Sequence, residues 1–246
     1  MSGTCLRPTG FVWRLEGCAG PPLGQALALG EAVRAAVMRA GNNIGLDRLP
    51  EQFHANHGGA PHQHAHWLSQ DRDGDGRIDH VLIHAAVGLT GPVIAALASA
   101  ERVWLPPVGE WSLVPLSLCS SLIGLSGPAR RWRTLTPYVT PLWHIGGNGK
   151  PRPGLGPEAQ LRREIMARGL PAPSRIVCAA ARAGADGGVV FATASRHPPK
   201  DAWRGQVCIS FEEPVAGPLA LGFGAHFGLG LLRPAWRRAP ARPIVG

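Results

Sequence analysis

The sequence predicts an α+β chain built from two similar units, and three observations carry that reading. Strand-like and helix-like stretches follow one another as strand, helix, loop, strand, helix, strand, and the alternation begins again after Arg130. Of the 246 residues, 45% are hydrophobic and 17% charged, which is enough to bury one substantial core or two small ones and too apolar for a disordered chain. Thirty-three glycines and 24 prolines cut the chain into short elements.

FVWRLEG (11–17) reads as a strand. After Pro21 and Pro22, QALALGEAVRAAVMR (25–39) predicts a helix: Leu29, Val33 and Val37 recur at i, i+4, i+8, Glu31 and Arg34 lie off that face, and Gly41 ends it. Residues 42–66 show no clean period and form a long loop, the kind that in compact domains is usually functional, with room for one strand near 60–70. RIDHVLIHAAV (77–87) alternates as the best strand of this half; 91–100 follows as a short Ala-rich helix and WSLVPLSL (111–118) as a strand. The order is close to the β-α-β-β-α-β split arrangement.

In the second half, RWRTLTPYVTPLW (131–143) is extended and broken by Pro137 and Pro141, and GNGKPRPGLG (147–156) is a basic Gly/Pro loop. A helix is predicted over Pro157–Arg168, with proline in the first turn, Glu158–Arg162 and Glu164–Arg168 as i,i+4 pairs and Gly169 as terminator. RIVCAAARA and GGVVFATAS suggest a hairpin across Asp186-Gly187-Gly188, and GQVCISFEEPVAGPLALG a strand and its exit. The domain boundary is therefore placed at 126/127, giving units 1–126 and 127–246.

Charge is unevenly placed. Residues 1–129 hold eight Arg against ten acids, whereas residues 130–246 hold seventeen Arg plus Lys against six acids. Of these 25 cations, 23 are arginine, whose planar fork suits bidentate phosphate contact. Such a basic half favours a nucleic acid or another polyanion as partner. A genome that substitutes Arg for Lys would account for the bias but not for its confinement to one half. Cys5, Cys18, Cys119, Cys178 and Cys208 are odd in number, scattered and never in a C-x-x-C pair, which fits a reducing cytoplasm. The N-terminus lacks a signal-peptide layout and no run is apolar enough to span a membrane, so a cytoplasmic protein without a membrane partner is expected.

Three segments carry candidate chemistry. Seven of the ten histidines fall between 54 and 84: His54, His57, His62, His64, His66, His80 and His84. In a strand, His62, His64 and His66 would share one face, able to offer three nitrogens to zinc or a general base near neutral pH. Within DRDGDGRID, Asp71, Asp73, Asp75, Gly76 and Asp79 match positions 1, 3, 5, 6 and 9 of a calcium loop, but position 12 is Leu82 and a strand pattern follows. An acidic turn capping its own backbone is the competing reading. Finally, LALGFGAHFGLGLLRPAWRR (219–238) brackets His226 with Gly222, Gly224, Gly228 and Gly230 and continues into Arg233, Arg237 and Arg238. It has neither a Walker ending nor a dinucleotide fingerprint; glycines this dense let backbone N–H groups approach a phosphate, or simply make a tight turn between strands.

HQHAHWLSQDRDGDGRIDHVLIHA, RRWRTLTPYVTPLW with the basic loop after it, and GPLALGFGAHFGLGLLRPA resemble, in that order, the RNA-processing half of the CRISPR-associated fusion protein of type I-G (formerly I-U) systems. That half belongs to the RAMP superfamily of precursor-CRISPR-RNA endoribonucleases. The resemblance implies tandem ferredoxin-like (RRM-like) domains with a C-terminal glycine-rich loop. It implies metal-independent cleavage of repeat RNA at the 3′ base of its hairpin, a 2′,3′-cyclic phosphate, and retention of the mature crRNA for an effector complex and its subunits. No cofactor is implied. A non-cleaving crRNA-binding subunit is the alternative, since some members only bind. In many relatives a histidine after the first helix is the general base. Here that region offers His54 and His57 as well as His62, His64 and His66, and within this run His64 or His66 is the expected acceptor of the 2′-hydroxyl proton. Arg131, Arg133, Lys150, Arg152, Arg162, Arg163 and Arg233, with Gly222, Gly224, His226, Gly228 and Gly230, are the expected RNA contacts. The sequence departs from the family's pattern in two ways: the N-terminal fusion partner is not seen, and a lysine expected near the catalytic centre has no counterpart, Lys150 and Lys200 being the only lysines.

Overall fold

The computed structural model describes residues 7–46, 53, 64–119, 124–143, 145–146, 150, 152–180, 189, 191–193 and 196–235. The first half forms β1 (Gly10–Gly17), α1 (Ala26–Asn43), β2 (His66–Gln70), β3 (His80–His84), α2 (Gly91–Ala98), β4 (Arg102–Leu105) and β5 (Gly109–Cys119). These make an antiparallel sheet of order β2-β3-β1-β5-β4. With β5 beside β1 and β3 between β1 and β2, the arrangement is the split β-α-β expected, and β4 adds a hairpin strand at the edge.

α1 buries Leu29, Val33 and Val37, the predicted stripe, then runs past the predicted stop. Gly41 is buried inside the helix next to Ala40, a core residue, so packing overrides its weak propensity. Gly45, at φ +78°, is the left-handed residue that ends the helix. β3 is shorter than predicted because Ile78 and Asp79 donate their N–H groups to Pro21 and Gln70 carbonyls instead of a ladder. β4 was not predicted; four residues are too few for a period to show.

Both faces of this sheet are covered. α1 and α2 lie over one, enclosing Trp13, Trp67, Val81 and Ile83. Val12, Leu68 and Leu82 on the other face pack against Leu125, Ala220, Ala225 and Leu231. Apart from Leu125, that second covering comes from the C-terminal half, so the two halves share a core.

The second half forms β6 (Ala129–Thr134), β7 (Tyr138–Val139), α3 (Pro157–Ala167), β8 (Arg175–Ala180), β9 (Arg204–Val215), β10 (Leu219–Ala220) and β11 (Leu231–Pro234). Its antiparallel sheet runs β10-β11-β6-β9-β7, with β8 also against β9. β6, α3, β8, β9 and β11 thus repeat the places of β1, α1, β2, β3 and β5. The repeat lacks its second helix: a glycine-rich segment with one 3-10 turn at Ala225–Phe227 stands there instead.

Among the described residues, the first arm of the hairpin predicted across 186–188 finds its partner elsewhere. β8 pairs with β9, Arg175 opposite Ser210 through Ala180 opposite Gly205. The reason lies in the apolar residues of the expected partner: Phe191 and Val189 are drawn into the core of the first half, with the Arg204 guanidinium 4.4 Å over the Phe191 ring. Asp186, Gly187 and Gly188 themselves lie outside the described residues.

Candidate active site

The glycine-rich segment is shaped by steric necessity at two positions. Gly222 has φ +91°, and a Cβ there would stand 2.5 Å from the Val139 carbonyl oxygen and 2.6 Å from the Tyr138 ring. Gly230 has φ +59°, and its Cβ would fall 1.8 Å from the Leu221 carbonyl oxygen. Between them the 3-10 turn buries Ala225 and Phe227 and leaves His226 half-buried. Phe227 seats the turn on α1, where Gly30 permits contact: a Cβ on Gly30 would lie 3.0 Å from the Phe227 carbonyl oxygen. The Arg196 guanidinium covers the Phe227 ring at 4.3 Å and pairs with Glu31 of α1 at 2.6 Å.

Seated this way, the turn delivers His226 to the entrance of β2. Its ring centroid is 4.7 Å from that of His66, tilted 35°, and 5.4 Å from that of His64, edge to face at 89°. His84 is the cross-strand partner of His66 in the β2–β3 register, so its side chain shares that sheet face. Four imidazoles from three chain segments therefore gather where the two halves meet.

Burial dominates the electrostatics. It pushes the His66 imidazole well below its ordinary range, reinforced by His226, Arg168, His84 and His64, each of which opposes a further positive charge. Burial also lowers the His84 imidazole. His66 is accordingly neutral at physiological pH. Nδ1 of His64 and Nε2 of His66 are buried without a hydrogen-bond partner among the described residues. Buried imidazole nitrogens without partners carry a desolvation cost, and such atoms concentrate at sites awaiting a ligand.

Arg168, the C-cap residue of α3, is the guanidinium whose charge opposes protonation of His66. It pairs with Glu164 at 2.5 Å, and the Glu164 carboxylate accepts the Gly222 N–H at 2.9 and 3.1 Å. The Tyr138 phenol, buried beside this carboxylate, is raised far above its ordinary range by burial and by the Glu164 charge. Sequence reasoning missed Arg168, Glu164 and Tyr138. Glu164–Arg168 carries the same i,i+4 signature as Glu158–Arg162, yet the first pair is about 15% exposed and the second faces solvent. Nothing in the spacing separates an inward pair from an outward one.

Of the predicted site residues, His64, His66, His226 and the glycines 222, 224, 228 and 230 come together. His62, with His54 and His57, lies outside the described residues, as do Arg237 and Arg238. His80 stands at the far end of β3, its Nδ1 2.8 Å from Asp79. Arg162 bonds Glu158 and the Pro173 carbonyl, and Arg163 the Gly154 carbonyl. Lys150 presents its carbonyl to the Gly146 N–H, and Arg152 sits in the exposed loop before α3. Arg131, Arg133 and Arg233 occupy the open face of the second sheet.

The acidic loop closes on itself. The Asp71 carboxylate accepts the N–H groups of Gly74 and Gly76 at 2.7 and 2.9 Å, Asp75 accepts that of Arg77 at 2.7 Å, and Asp79 that of Arg72. Among the described residues, Asp71, Asp73 and Asp75 are the one group of three whose ligand atoms all lie within 4.8 Å of one another; Asp79 also reaches His80 Nδ1. Each of these carboxylates, Asp73 and Asp79 included, accepts at least one of the loop's own amides, the pattern of a turn that caps itself.

No family model matches the chain, and no curated protein matches it. Among solved structures it is similar to a Cas6-related protein from Pyrococcus furiosus (12% identity, TM-score 0.42, covering 92% of this chain and 98% of that one). It is similar also to a CRISPR-associated protein Cas6 (8%, 0.47, 92% and 98%) and to Thermus thermophilus Cas6 (17%, 0.37, 95% and 100%). No helix among the described residues is long and apolar enough to cross a membrane.

Proposed function

We propose that the chain is a metal-independent endoribonuclease of the RAMP superfamily, with two ferredoxin-like domains, 1–126 and 127–246, acting in the cytoplasm on the hairpin of a CRISPR repeat transcript. The observation that carries this reading is the meeting of His64 and His66 with His226 of the glycine-rich turn. Elements far apart in sequence bring imidazoles to one place, beside a turn whose glycines allow close backbone approach to a phosphate.

RNA supplies its own nucleophile. In the proposed reaction an imidazole accepts the 2′-hydroxyl proton as that oxygen attacks the adjacent phosphorus. The bond to the 5′-oxygen breaks, the departing oxygen takes a proton from a second imidazole, and the products are a 2′,3′-cyclic phosphate and a 5′-hydroxyl. His64 is assigned as the base. His66, held neutral by burial, is a weak base and a positioning residue, because a base far below the working pH transfers protons poorly. His226 is assigned the acid role, and Arg168 the cation that opposes charge growing on the phosphate. The matured RNA is held afterwards for other effector subunits.

Incubation of the full chain with its own repeat RNA in EDTA tests the reading. A cyclic-phosphate product is expected, with no cleavage when the scissile 2′-hydroxyl is replaced by hydrogen. Cutting of that deoxy substrate would exclude the mechanism, and tightly bound but intact RNA would make the chain a binding subunit.

A further inference from the structure

The first sheet ends at β4, far from the imidazole cluster on β2. The Glu101 and Leu105 carbonyls accept the Leu113 and Val108 N–H groups at 2.7 Å each, which fixes the phase of this strand. Val103, in step with those two, turns its N–H and C=O toward β5; Arg102 and Trp104 turn theirs outward. Among the described residues no other strand pairs with that outer edge.

The side chains follow the same alternation. Val103 and Leu105 are buried in the core of the first half, so Arg102 and Trp104 stand on the opposite face of the sheet. Trp104 is 65% exposed, more than any other large apolar side chain among the described residues. Indoles left in water at this level are common anchors of interfaces.

Charge around this indole is balanced. Glu110, opposite Trp104 on β5, pairs with Arg102 at 3.5 Å. On β1, Glu16 lies in the row of Ser112 and Arg102 and pairs with Arg14. All four charged side chains are exposed and their charges cancel. The chain as a whole carries +9. Two copies of so basic a chain repel one another except where charge is locally neutral, and a polyanion gains little where each guanidinium already faces a carboxylate. This face therefore suits a second copy of the chain.

Two-fold symmetry then selects a register. Arg102 against Arg102 would set like charges together, and Trp104 against Trp104 would bring Pro106, which has no N–H, opposite Arg102. With Arg102 opposite Trp104 of the partner subunit, every outward N–H and C=O of the two residues is paired, and each guanidinium lies beside an indole. Pro106 and Pro107 close the strand, so pairing stops at two copies.

We propose that β4 pairs antiparallel with β4 of a second copy about a two-fold axis at Val103, joining the two five-stranded sheets into one, with Arg102 of each copy against Trp104 of the other. β2 lies at the far edge of each sheet, so the two imidazole clusters stand roughly 40 Å apart at about 4.8 Å per strand, and the dimer covers neither. The proposal does not rest on the reading of the chain as a ribonuclease.

Sedimentation velocity of the full chain without RNA, over about a hundredfold range of concentration reaching the high micromolar, should show monomer passing to dimer. Amide hydrogen exchange followed by NMR reads the register: the Arg102 and Trp104 amides should exchange at least about tenfold more slowly at high concentration than at low, with a far smaller change at Val103. Trp104→Lys should raise the dissociation constant about tenfold or more. Arg102→Glu should do the same through loss of the cation beside the indole, and it replaces the first variant if that one fails to fold. Trp143→Lys, at a tryptophan 49% exposed in the other half, should leave association unchanged. A monomer at every concentration overturns the proposal, as does undiminished association in folded Trp104→Lys protein. Trp104-dependent binding of oligouridine or of a different protein to a chain that stays monomeric assigns the face to that ligand and overturns it too. Cleavage of repeat RNA, or its failure, alters none of these outcomes.

Discussion

The imidazole of His66, at the first position of β2, packs against the imidazole of His226, in the turn that replaces the second helix of the C-terminal repeat, with ring centroids 4.7 Å apart. This contact joins the two halves at the place where chemistry is proposed, and most of the expected outcomes follow from it.

His64→Ala should reduce the rate of repeat-RNA cleavage by about 10²–10⁴-fold with hairpin affinity nearly unchanged, the range usual for loss of a general base. His66→Ala should cost less, because His66 positions rather than accepts. Single-turnover kinetics on labelled repeat RNA, beside an affinity measurement, separate the two. Equal rates for His64→Ala and wild type would remove His64 from the mechanism.

Stability should fall as the solution is acidified through the ordinary histidine range. His66 and His84 are both lowered in the folded protein, so below about pH 6.5 the unfolded chain takes up protons that the folded chain refuses. Their contribution is therefore fully present above that pH and is lost progressively toward the depressed folded values. The groups facing His66 (His64, His84, His226 and Arg168) all add to this direction. Urea midpoints measured between pH 5 and pH 8 should show the decline, and His66→Gln should flatten it.

Glu164→Ala should destabilise the fold by about 1–3 kcal/mol, since it leaves the Gly222 N–H without its acceptor and Arg168 without its partner. Glu158→Ala, which removes a solvent-facing pair of the same spacing, should cost no more than about 0.5 kcal/mol. Thermal melts of the two variants provide the comparison, and similar losses would show that the inward pair is not holding the turn.

Asp71→Ala should lower stability by about 1–2 kcal/mol, one increment for each of the two loop amides it caps. Adding calcium or EDTA to the wild-type protein should leave its melting temperature unchanged. A calcium-dependent rise abolished in the variant would turn the self-capped turn into a cation loop.

Gly230→Ala should be more damaging than any of these, because the added Cβ meets the Leu221 carbonyl and the backbone has φ +59°. Loss of soluble folded protein, or a melting point far below wild type, is the expected result. Gly156→Ala, with open space around its Cβ and no positive φ, should fold normally.

Much of this protein was legible in sequence because the signals were local. The α1 stripe at Leu29, Val33 and Val37, the α3 start at Pro157 and the glycines around His226 are fixed by periodicity, by ring geometry or by a backbone only glycine tolerates. The uneven arginine content likewise needed no coordinates. Tertiary structure decided whatever depends on which segments meet. The pairing of β8 with β9 went against a plausible turn because Phe191 and Val189 gain more by burial in the other half than a local hairpin returns. Glu164 and Arg168 became inward residues, and His66 a neutral one, only once the glycine-rich turn packed over them. Burial and Coulomb interaction depend on distance in space, and sequence separation does not encode that distance.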